Sequence, residues 1–421
     1  MKLFTPADDS VLRHPPFVLY WAARTCAAMA FQMLGVAVAW QMYALTGSAL
    51  DLGLIGLMQF LPSAAFMLIA GQVADRYQRR RLLQLCQALE CLALAALAAG
   101  AFWGFADKGF LLAAVLVFGV GRAFEAPTQQ SLLAGVVPPS LFPTALAAAT
   151  STSQFATIIG PALGGVLYVL GTTIPYATCL ALVLASIAML GLVKVHKSMH
   201  QRTPVSLTAF FAGITYIRHN RVLLGVISLD LFAVLLGGAT ALLPIFADEI
   251  LHAGPEGLGL LRAAPAAGAL VVMSVLTLRP LRRGIGRIML ISVACFGVAT
   301  IVFALSTSFI LSMAALTVLG ASDAVSVIIR VTLVQLETPD EMRGRVNAVN
   351  SLSAGTSNQL GEFRAGVMAA WLGTLPAVLV GGFGIIAVVL IWLRTFPALT
   401  RVESFSDQAS SPRPLVYPKK T

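Results

Sequence analysis

The sequence predicts an all-α membrane protein of twelve transmembrane helices, arranged in two parallel six-helix halves. Three observations carry that reading: the hydropathy, the spacing of long apolar runs, and the gathering of basic residues in alternate loops. Of 421 residues, 58% are hydrophobic and 11% charged, which leaves too little polar surface to cover a water-soluble globule. Roughly twelve apolar runs, each near the ~20 residues that a bilayer core of ~30 Å demands, are separated by short polar or Pro/Gly breaks. The runs are continuously apolar rather than alternating, so helices, not barrel strands, satisfy their backbone.

In order, the first half places helices at 17–45, 49–74, 82–104, 109–133, 143–170 and 174–195, after a short N-terminal segment, 1–16. A polar linker, 196–221, follows. Within it Leu207, Phe210, Phe211, Ile214 and Ile217 recur at three- and four-residue spacing, which predicts an amphipathic helix along the membrane surface. The second half, 222–397, repeats the plan at 222–250, 257–278, 287–305, 309–336, 346–372 and 375–396. The tail, 398–421, carries Pro412, Pro414 and Pro418 and is expected to be disordered. Pro139 and Pro339 occupy matching loops 200 residues apart, and Gly160 and Gly165 match Gly361 and Gly366. Such a repeat is expected of transporters whose substrate site lies between two halves.

Charge fixes the orientation. Four arginines, Arg76, Arg79, Arg80 and Arg81, sit between the second and third apolar runs and cannot lie in lipid. With this loop and the linker on one side, nearly every Lys and Arg falls on that side, and the other loops hold Lys108 alone. The positive-inside rule then predicts an inner-membrane, multi-pass protein with both termini cytoplasmic. The same rule accounts for the net charge of +10 without nucleic acid as a partner. The five cysteines, Cys26, Cys86, Cys91, Cys179 and Cys295, lie within spans and read as packing residues, with no metal or cofactor site. No nucleophile motif, H-E-x-x-H or phosphate-binding loop appears, which argues against an enzyme or an ATP-driven pump. Trp21, Trp103, Trp371 and Trp392, near span ends, read as interface anchors.

Gly71, Asp75, Arg76, Arg79 and Arg80 match the G-x-x-x-D-R-x-x-R-R pattern of the loop between helices two and three in the major facilitator superfamily, which the whole of 17–397 resembles. Gly160, Pro161, Gly164 and Gly165 are similar to the core of that superfamily's antiporter motif, with Ala156 in place of an upstream glycine. A third stretch, Asn358-Gln359-Leu360-Gly361-Glu362-Phe363-Arg364, resembles the subgroup of enterobactin exporters and drug:proton antiporters. The resemblance implies proton-coupled export of a small amphipathic substrate, such as a siderophore or drug, by a monomer in the lipid bilayer. An importer of an iron chelate on the same fold is the alternative, and a non-transporting receptor the third.

Ionisable residues inside spans default to function or pairing. The sequence places Arg24, Glu90, Arg122, Glu125, Asp230, Asp323, Arg330, Glu362 and Arg364 there. In the resembled fold, helices one, four, seven and ten surround the cavity, and only Glu90 falls on a peripheral helix. Arg122 and Glu125 share a helix face, as do Asp323 and Arg330. Each pair is either a structural ion pair or a proton-carrying acid with a competing arginine. Glu125 is the first candidate for proton coupling, followed by Asp323, Asp230 and Glu362. Arg24, Arg122, Arg330 and Arg364 are candidate charge partners or substrate ligands, with Arg24 expected to meet an anionic substrate or Asp230. Gln32, Gln130, Asn358 and Gln359 are expected to line the cavity. Asp75 at the basic loop is expected to act as a latch on helix eleven, in the manner of the resembled family.

Overall fold

The computed structural model describes residues 11–193, 207–281 and 283–405. Six long helices form the first half: α1 (Pro15–Thr46), α2 (Ala49–Arg76), α3 (Arg79–Trp103), α4 (Lys108–Val136), α5 (Phe142–Val169) and α6 (Thr173–Leu192). The second half has α7 (Arg221–Gly237), α8 (Gly254–Leu278), α9 (Ile285–Leu305), α10 (Phe309–Glu337), α11 (Asp340–Leu372) and α12 (Thr374–Thr395). No strand occurs among the described residues. Local chemistry sets the boundaries. Ser48 and Asp107 cap α2 and α4 by accepting from the amides of Asp51 and Phe110, and Gly47 closes α1 with φ +58°.

Eleven of the described helices are long and apolar enough to cross a membrane, counting α7 with its continuation to Ile250. The twelfth, α11, has 33 residues but is too polar by composition, because it carries Asn, Gln, Ser, Glu and Arg along its length. It packs against α2 and α7, so much of that polar surface meets protein rather than lipid. The seventh span departs from the expected single helix. It breaks at Gly238, which has φ +49°, and runs on as short turns ending in a π-turn at Phe246–Ile250. The break brings the Gly238 backbone against Gly361 and Ala365 of α11, an approach that any side chain would block.

The linker helix spans Leu207–His219, as its periodicity predicts. Ile217 is buried with Leu223, Val334 and Val346, and Gly213 lies against Arg345 and Val349, so the helix is fastened to α11 and not only to the membrane surface. Residues 196–206 of the expected linker and 406–421 of the expected tail lie outside the described residues. The tail segment that is described is packed: Leu399 and Val402 are buried against α9, where the Gly286 amide donates to Val402. That packing overturns disorder for residues 398–405.

The two halves pack closely at one end. Gly53 and Gly56 of α2 lie against Phe363, Gly366 and Glu362 of α11, and Gly165 of α5 lies against Glu256 and Gly259 of α8. All belong to the helix ends away from the basic loops. Toward the basic end, by contrast, a methyl group added at Gly71 or Gly344 would touch nothing within 4 Å. Between α5 and α8 the contact runs further along the seam, where the Gln154 amide donates to the Met273 sulfur at 3.5 Å.

Candidate functional site

Each half holds one buried set of two acids and one arginine. In the first half, Glu125 of α4 is fully buried and receives three donors. Arg122 pairs with it from one turn earlier, while the amides of Gln87 and Gln129 donate to its Oε1 at 3.1 and 2.9 Å. Gln87 is held in turn by the Ser186 hydroxyl of α6 at 3.0 Å. The guanidinium of Arg122 stacks 4.4 Å above the Phe31 ring, and its side chain keeps 30% exposure, the most accessible part of the set. Glu90 of α3 reaches the same cluster beside Gly121, is 1% exposed, and its Oε1 has no hydrogen-bond partner among the described residues.

The second set lies among α7, α10 and α11. Arg330 Nε stands 3.2 Å from Asp230 Oδ1, with side chains 6% and 5% exposed, and its Nη1 donates to Asn350 Oδ1 at 2.8 Å. This corrects the expected pairing of Arg330 with Asp323. Seven residues along a helix is ~10 Å of rise, whereas Asp230 faces Arg330 directly from the next helix. Asp323 instead lines a small cavity with Asp230, Phe296, Ser322 and Ser326.

A third group crosses the seam. Arg262 of α8 donates to the Gly35 carbonyl of α1 at 2.9 Å. Glu362 of α11 presses on Gly56 and, with Arg262, forms opposite charges in the same buried seam. Tyr43 of α1 donates to Glu249 in the π-turn. Arg364 is tied within its own half, donating to the Leu236 carbonyl at 2.6 Å.

The remaining candidates divide. Arg24 donates to Ser153 and Tyr20, not to Asp230, because the acid lies in the other half and Ser153 of α5 is nearer. Gln32 donates to Thr157 at 2.8 Å, while Gln130 and Asn358 are exposed and Asn358 bonds its own helix at Ala354. Gln359 touches Gly56 through its carbonyl. The antiporter-like stretch is a packing surface on two sides: Gly160 and Gly164 admit Gln32 and Met33 of α1, and Gly165 admits α8. The basic loop narrows to Tyr77 and Gln78, since α2 runs to Arg76 and α3 starts at Arg79. Arg79 donates to the Ser131 carbonyl at 2.9 Å, and Arg80 to the Val193 carbonyl at 3.0 Å, so both staple the ends of α4 and α6. Asp75 is helical, and its side chain lies outside those described. Trp21 and Trp392, both half-buried near helix ends, donate to the Ala148 and Gly225 carbonyls.

Residues 8–419 match the model of one family, described as Transmembrane secretion effector. The chain belongs to that family. The chain is 26% identical over 398 residues to the enterobactin exporter EntS of Citrobacter koseri, covering 92% of this chain and 93% of that one. Its fold is similar to a bacterial homologue of the human lysosomal transporter Spinster, with a TM-score of 0.71 at 15% identity over 96% of this chain and 100% of the other. A bacterial homologue of the iron transporter ferroportin gives 0.67 at 15% identity, over 93% and 100%. The chain is thus a multi-pass membrane transporter of the major facilitator superfamily.

Proposed function

We infer that this transporter exports a small amphipathic molecule, of the siderophore or drug class, from the cytoplasm across a bacterial inner membrane in exchange for protons. The observation that carries the reading is the whole-length similarity to enterobactin exporters, joined to the close glycine packing of the halves at the end away from the basic loops. With the basic end cytoplasmic by the positive-inside rule, that packing closes the outer side. Alternating access then needs the glycine contacts at 53, 56 and 165 to separate while the basic end closes.

Energy comes from an ion gradient, since the chain carries no nucleotide-binding loop, and the carboxylates buried in each half are the groups able to carry protons. Glu125 leads, with Asp323, Asp230 and Glu362 as further candidates. The enterobactin exporters among its relatives support outward transport. The protein works as a carrier and not as an enzyme.

The test is substrate-dependent proton movement in proteoliposomes across a panel of siderophores and drugs. At least one compound is expected to drive protons in the opposite direction to itself. Co-directional movement, or transport of a panel member without any proton movement, contradicts the reading.

A further inference from the structure

The proton-coupling reading leaves open which oxygen holds the proton, and the first-half set supplies an answer. Glu125 has donors for its charge from three sides: one guanidinium and two amides. A carboxylate so surrounded is stable as an anion. Glu90 differs in its partners. It is equally buried, it accepts no hydrogen bond among the described residues, and its only cation, Arg122, already serves Glu125. The other titratable groups near it give no relief. Cys86 and Cys91 flank it on α3, and Tyr20 and Arg24 on α1 are bonded to each other and to α4 and α5. From α6 only Ser186 reaches the cluster, through Gln87. A bare buried carboxylate without a partner costs several kcal/mol, and a bound proton removes that cost.

We propose that Glu90 and Glu125 form one proton-binding dyad, with the proton resident on Glu90 and Glu125 ionised against Arg122. The dyad rests on the proton-coupled reading for its role in transport, although its protonation state does not. When Arg122, the most accessible member, leaves Glu125, the Glu125 anion loses its cation and takes up a proton from water in the cavity. Glu90 keeps its own proton, because as an anion it would have no donor at all, so the set gains one proton as the guanidinium leaves. Arg122 thereby links events in the cavity to proton uptake at Glu125, beside the proton already held on Glu90.

Infrared difference spectroscopy on purified protein at neutral pH reads the assignment directly. Wild type minus Glu90→Gln is expected to show the C=O band of one protonated carboxyl group. A featureless difference in that region overturns the proposal. Should Glu90→Gln not fold, Arg122→Gln is the second probe: without the cation both acids take a proton, so the band is expected to double in area, and an unchanged band overturns the proposal. A wild type that shows the band but moves no protons in proteoliposomes defeats proton coupling while leaving the dyad intact, so the two failures are distinct.

Discussion

The two buried charge sets have the same inventory, two acids and one arginine, and opposite construction. In the first half the arginine and its acid are one turn apart on α4, so the ion pair itself bridges no helices and its links to α1 and α3 are a ring and an amide, and Arg122 keeps 30% exposure. In the second half Arg330 joins α10 to Asp230 of α7 and to Asn350 of α11, and both ions are buried. The repeat explains the contrast. With α4 starting at Lys108 and α10 at Phe309, 201 residues later, Arg122 corresponds to Asp323, Glu125 to Ser326 and Gln129 to Arg330. Relative to its counterpart the arginine of α10 stands two turns further along the helix, and its acid comes from the neighbouring α7. In one set the ion pair stays within a helix with the arginine partly accessible; in the other the ion pair itself braces helices.

That comparison breaks first on stability. Arg330→Ala leaves Asp230 buried without its cation and is expected to cost about 3–5 kcal/mol, with most of the protein lost from the monodisperse fraction after detergent extraction. Arg122→Ala should melt much closer to wild type, and equal losses for the two variants would erase the distinction. Transport sharpens it next. Glu125→Gln is expected to reduce proton-driven export at least tenfold while size-exclusion profile and membrane insertion hold. Asp323→Asn should fall short of that loss, and the reverse order moves the coupling site to the second half.

The seam provides a smaller contrast. Gly165→Val places an isopropyl group where Pro255, Glu256 and Gly259 already crowd, so the closed end is forced apart and export slows severalfold. Cysteine pairs across that end should report greater separation by cross-linking. Smallest is Asp75→Asn at the basic loop, expected to slow turnover a few-fold with normal insertion. Wild-type turnover there would end the latch idea.

The architecture was readable because it depends on long-range averages. Apolar runs of bilayer length, breaks at Gly and Pro, and the one-sided basic loops each repeat many times, so local noise cancels. The sites are single contacts and fared differently. Arg122 and Glu125 are neighbours along one helix, and helical spacing alone brings them together. Arg330 and Asp230 are 100 residues apart in sequence, and nothing in the period of either helix says that they face each other.

Arg262 was overlooked although the signal was present: a lone arginine inside the apolar run of α8 is costly unless it has a partner, which it finds in the Gly35 carbonyl. Glu90 was visible but set aside as peripheral, and only packing at Gly121 shows that α3 delivers it to the α4 set. The break at Gly238 lies in a span whose hydropathy is uninterrupted, and its sign in the sequence is local: the Gly237-Gly238 pair, with Pro244 following.

The central claim is that protons drive this transporter through the first-half dyad. It is tested most directly in proteoliposomes under an imposed proton gradient, with enterobactin and ethidium as probes. Wild type is expected to accumulate at least one probe against its gradient. Glu90→Gln and Glu125→Gln should accumulate neither, yet still exchange the transported probe across the membrane at equilibrium. Gradient-driven accumulation at the wild-type rate in either variant would contradict the account.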